Sequence, residues 1–106
     1  MIPEQFKQNI DLDIKVYGED VQASYKYYYF HNPPDPGNEP LVSHMEFRSS
    51  GTIVSDTGYQ SHFFHTDILE DTAYRDIREL VTAFGEHFAR ENGYQPPVIR
   101  HQYKLF

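Results

Sequence analysis

The side chains whose types and spacing invite chemistry are His44, Glu46, His62 and His65. In LVSHMEFR, His44 and Glu46 are two apart, so a strand would present both on one face. In HFFHTD, His62 and His65 are three apart. A strand sends them to opposite faces, whereas a helical turn would let both reach one ion. With one of that pair on a neighbouring strand, His44 and Glu46 complete a two-histidine, one-carboxylate set, a donor set suited to a transition metal. Spacing alone does not impose this set, as it does in HExxH, where one helical face holds both ligands and the base.

Other chemistries find less support. Ser43, Ser55 and Ser61 have histidines nearby, but no G-x-S-x-G elbow presents a serine at a strand-to-helix corner. Gly-rich phosphate loops are missing from the sequence. Asp56-Thr57-Gly58 reads as a turn, because aspartic-protease chemistry needs two such aspartates facing each other. The absence of cysteine removes disulfides, thiolate metal sites and thiol nucleophiles together. No cofactor is expected.

Aromatic residues dominate the remaining signal: nine Tyr and eight Phe make up 16% of the chain. In VQASYKYYYF a strand would place Val21, Ala23, Tyr25, Tyr27 and Tyr29 on one face, with Tyr28 and Phe30 on the other. One helix covers only one face of a sheet. Tyr25, Tyr27, Tyr28, Tyr29 and Phe30 are therefore candidates for a surface buried on association, with a partner or with a second copy as a homodimer. Tyrosines that line their own sheet, with hydroxyls at the rim, are the competing reading. The segment HNPPDPGNEP that follows is too rich in proline for helix or strand, and it adds Pro34 and Asp35 as candidate contact residues on a pre-ordered loop.

The elements that position these residues follow from hydrophobic period. Ile10, Leu12, Ile14 and Val16 alternate with polar residues, giving the clearest strand. Gly18-Glu19-Asp20 reads as a hairpin turn into a strand over 21–30. Further strands are expected over 41–48, 52–55 and 59–65, linked by turns, and over 98–106 at the end. The one long amphipathic helix falls within 67–93, where Ile77, Leu80, Val81, Phe84 and Phe88 recur at three and four, extended backwards by Ala73 and Tyr74. Its start is signalled either by Asp67 with Glu70 or by Asp71 or Thr72, and its stop by Asn92-Gly93. Gly85, on the edge of the apolar stripe, suits a close approach to the sheet. Pro3 and Glu4 open a short N-terminal helix.

The sequence thus predicts a single α+β domain over residues 1–106. Its antiparallel meander sheet has about five to six strands, covered on one face by one long helix in the C-terminal half. Nine basic and sixteen acidic residues give a net charge of −7, which disfavours a phosphate-binding surface and nucleic-acid partners. Neither a signal sequence nor an apolar run of membrane-spanning length is present, so a cytoplasmic location without membrane contact is expected. Together these features point to a small acidic, non-enzymatic protein-protein interaction module, an inhibitor or regulator of the kind made by bacteria or mobile elements. The alternative is a small metal-binding protein or enzyme built on His44, Glu46, His62 and His65.

Overall fold

The computed structural model describes residues 2–29, 40–70 and 72–95. It is an α+β fold in which a four-stranded antiparallel meander packs against one C-terminal helix. The strands are β1 (Asn9–Val16), β2 (Glu19–Lys26), β3 (Val42–Arg48) and β4 (Tyr59–His65), in the spatial order β1-β2-β3-β4. The helix α1 spans Ile77–Glu91, and short 3₁₀ turns occupy Glu4–Phe6 and Thr66–Leu69. None of the described helices is long and apolar enough to cross a membrane.

Register assigns every strand residue to a face. Leu12, Ala23 and Phe47 lie across from one another, as do Ile10, Tyr25, Met45 and His62. These positions, with Ile14, Val16 and Val21, form the side that α1 covers through Ile77, Leu80, Val81 and Ala89. The helix packs chiefly on β1 and β2. Phe84 and Phe88 extend the cover sideways, Phe88 meeting Phe47 edge-on at 5.6 Å.

Four expectations from sequence are corrected. Residues 52–55 form bends rather than a strand, with the consecutive residues Ile53 and Val54 both buried, a pattern that a strand with one buried face does not produce. The helix begins ten residues later than Asp67, at Ile77; its N-cap is Asp76, whose carboxylate accepts from the Glu79 N–H at 2.8 Å, while Glu79 reaches back to the Arg75 N–H at 3.1 Å. The β1–β2 turn is centred on Tyr17 and Gly18, with φ of 50° and 86°, so β2 starts at Glu19. Two positive φ values match the right-handed twist of the flanking strands. Tyr17 is held there by stacking on Tyr94 at 4.6 Å and by a hydrogen bond from Arg90 at 2.5 Å. Finally, β2 stops at Lys26 and Tyr27–Tyr29 turn away. There the Tyr27 N–H donates to Gln8 O, the Tyr28 N–H to Asn9 Oδ1, and Ser43 Oγ to Tyr27 O. The expected strand over 98–106 lies outside the described residues.

The closest helix–sheet approach is at Gly85. A Cβ there would sit 2.8 Å from Val16 Cγ2, 3.5 Å from Phe47 Cε1 and 3.7 Å from Ile14 Cδ1. Val16 is fully buried and its branched side chain is stiff, so it has little room to give. Gly85→Ala gains about 1 kcal/mol of helix propensity, but overpacking of about 1–3 kcal/mol outweighs it. We expect a melting temperature several degrees lower, and no further loss when Gly85→Ala is added to Val16→Ala, as a double-mutant cycle by thermal denaturation would report. An unchanged or raised melting temperature in the single variant would mean that the helix is free to move away.

Candidate functional site

The sheet face opposite α1 is built of three cross-strand rows. The first runs Asn9, Lys26, His44, Phe63; the second Asp11, Ser24, Glu46, Ser61; the third Asp13, Gln22, Arg48, Tyr59. Among the described residues, no helix lies on this face. Period-two alternation puts the polar half of each strand here, while the apolar half faces α1.

The rows are tied together by short polar contacts. Ser24 Oγ donates to Asp11 Oδ1 at 2.7 Å, and Lys26 Nζ lies 3.8 Å from the same oxygen. Arg48 lies 3.4 Å from Glu46 Oε1 and stacks its guanidinium 4.7 Å above the Tyr59 ring. Between β1, β2 and β3, Asp11, Ser24, Lys26, Glu46 and Arg48 line a concavity of about 540 Å³.

Beside the concavity stands an aromatic cluster. The His44 ring lies 4.3 Å from Tyr29 and 4.4 Å from Phe63, which meet each other edge-on at 5.4 Å. His44 is only 2% exposed, whereas Tyr29 and Phe63 are 41% and 50% exposed. Two open rings thus cover a buried imidazole. Among the described residues His44 Nδ1 has no hydrogen-bond partner, and its nearest carboxylate oxygen, Glu46 Oε2, is 3.8 Å away. That is beyond hydrogen-bond reach.

The candidate partner residues are divided by the fold. Tyr25 and Tyr27 are fully buried, and Tyr28 nearly so, packed edge-on to Tyr27 at 4.8 Å. The Tyr25 hydroxyl donates to Phe6 O at 2.7 Å, and burial raises its pKa far above the phenolic range, with the neighbouring Tyr27 adding to the effect. These three tyrosines are part of this chain's own core, so Tyr29 is the one tyrosine of the set with substantial exposure. Phe30, Pro34 and Asp35 lie outside the described residues.

The candidate metal ligands are divided as well. His44, Glu46 and His65 share the open face, and His62 lies on the helix side, its ring 5.3 Å from both Phe84 and Phe88. Among the described residues, no group of three or more His, Asp or Glu side chains is placed to hold a metal ion. Ser43 faces the core and Ser55 Oγ is occupied by Tyr59 O at 2.5 Å, so neither serine is presented as a nucleophile.

Sequence reasoning did not single out Phe63, packed on His44, or the Arg48–Tyr59 pair. Parity within YQSHFFH already groups Tyr59, Ser61, Phe63 and His65. What the sequence lacks is the register that sets Phe63 against His44. Comparisons with protein-family models, with curated proteins and with solved structures return no match.

Two imidazoles take up protons less readily in the fold than in free solution. His44 is shifted down from 6.5 by burial, with His62 adding to the shift and Glu46 opposing it; His62 is shifted down by burial and then by His87. Both groups bind protons more weakly folded than unfolded, so their contribution to stability is complete above 6.5 and is lost as pH falls from there through the depressed folded values. Urea unfolding across this range should show that decline, and His44→Phe should make it shallower. A profile that rises toward acid, or one indifferent to His44→Phe, would contradict the assignment.

Proposed function

We propose that this chain is a non-enzymatic protein-binding module that docks a partner protein on the open face of its sheet, around Tyr29 and Phe63. The observation that carries this reading is the pairing of two half-exposed aromatic rings with adjacent rows of charge, on a face that no described helix covers. Aromatic rings and arginine are the side chains that most often anchor protein interfaces, in a dry centre with a polar rim. Here Tyr29 and Phe63 supply the centre, while Arg48, Lys26, Asp11 and Asp13 supply the rim.

The electrostatics fit a partner with basic side chains. The chain carries a net charge of −7, and the rim ion pairs are exposed enough to be exchanged: Asp11 is 79% and Arg48 62% exposed at the side chain. Exposed pairs of this kind are worth little individually, so a partner guanidinium can displace one at small cost. A small acidic chain acting by occupying another protein's surface is an inhibitor or regulator rather than a catalyst.

Photo-crosslinking tests this reading. A benzoylphenylalanine in place of Phe63 should capture a discrete partner in cells, and the same probe at Glu86, on the helix, should not. With the purified partner, Phe63→Ala and Tyr29→Ala should weaken binding by about tenfold or more, as loss of an aromatic anchor does, and Glu86→Ala should leave it unchanged. Capture of a second copy of this chain would assign the face to self-association. Capture from the helix position alone would overturn the reading.

A further inference from the structure

We propose that His44 makes the open face proton-sensitive: on protonation its imidazole moves toward Glu46 and releases Tyr29 and Phe63 from their packing against it. The proposal deepens the docking reading by giving that face a means of regulation, and it rests on that reading only for its consequence.

The geometry has three parts. His44 packs against both rings, at 4.3 and 4.4 Å, so a movement of the imidazole changes its contact with each. Its Nδ1 is buried and unpartnered. The Glu46 carboxylate waits 3.8 Å from that nitrogen, with its other oxygen turned to Arg48. A neutral imidazole tolerates an unpaired Nδ1 at the cost of one lost hydrogen bond. An imidazolium carries N–H donors on both ring nitrogens, and a buried charged donor without an acceptor costs far more. Shortening 3.8 Å to hydrogen-bond distance requires a ring movement of about 1 Å. That is enough to undo close contact with both aromatic neighbours, because dispersion attraction falls steeply over such a gap.

The charges around His44 set the direction and range of the response. From β3, Glu46 favours the protonated imidazole, and Arg48 shares that carboxylate at 3.4 Å. From β2, Lys26 stands directly across from His44 and opposes a second positive charge, although Asp11 at 3.8 Å partly offsets it. From β4, His65 lies two residues along from Phe63 on the same face, and His62 opposes protonation from the other side of the sheet. Opposition from burial and His62 holds the response below 6.5, and Glu46 supplies the acceptor for the new N–H.

Proton NMR of the free protein through a pH titration tests the proposal without any partner. The ring resonances of Tyr29 and Phe63 are expected to shift with the same midpoint as the His44 imidazole, below 6.5. Glu46→Gln should lower that midpoint further, and His44→Phe, which preserves the aromatic packing, should abolish the ring shifts. Tyr29 and Phe63 resonances that stay fixed while His44 titrates, or that shift equally in His44→Phe, would overturn it. Failure of the docking reading would leave this titration intact, so the two outcomes are distinguishable.

Discussion

The structure depends on how one helix of fifteen residues covers a sheet four strands wide. An α-helix with its side chains is about 10–12 Å across, and strands lie about 4.8 Å apart, so α1 covers little more than two strands. Gly85 fixes which two, by bringing the helix backbone down onto Val16. Over β3 and β4 the cover consists of long side chains instead: Phe84 and Phe88 reach out to Phe47, Phe64 and His62. A partly covered zone of this kind accommodates a neutral histidine, and His62 sits there among the Phe84 and Phe88 rings.

The same constraint leaves the opposite face to satisfy itself by cross-strand pairing. Ser24 separates the two carboxylates of the second row, and opposite charges meet between rows, Lys26 beside Asp11 and Arg48 beside Glu46. Among the described residues β1 lies at an edge of the sheet; it presents Asp11, Asp13 and Lys15 on this side, and Arg78 from the helix donates to Asp13 O. Inward charge and a capped carbonyl discourage another chain from extending the sheet there.

Much of this architecture was legible in the sequence, because local period decides it. Ile10, Leu12, Ile14 and Val16 specify both a strand and its buried side, and the parity of His44 and Glu46 gives their shared face. The stripe from Ile77 to Phe88 specifies the helix, and Gly85 at its edge signals the close approach. Part of what escaped depends on partners distant in sequence. Nothing near Tyr27 shows that Gln8, Asn9 and Ser43 will bend the chain away after Lys26. Ala73 and Tyr74 prolong the helical period, yet the Asp76–Glu79 capping pair sets the helix start after them. The site was less legible than the fold, since setting Phe63 against His44 required the register of β3 against β4.

His44 is the residue whose placement stability alone does not account for. An unsatisfied buried nitrogen costs about 1–3 kcal/mol, and an apolar ring between Tyr29 and Phe63 would avoid that cost while filling similar space. The imidazole instead joins two parts of the face that would otherwise be independent. On one side it packs against the exposed rings, and on the other it faces Glu46, which also pairs with Arg48 beside the concavity. Any change in the charge of His44 must therefore act on the aromatic centre and the charged rim together. A partner that replaces Arg48 with its own cation at Glu46 would in turn alter how strongly that carboxylate attracts the imidazole. By linkage, partner binding at the rim and proton uptake at His44 then influence one another through Glu46.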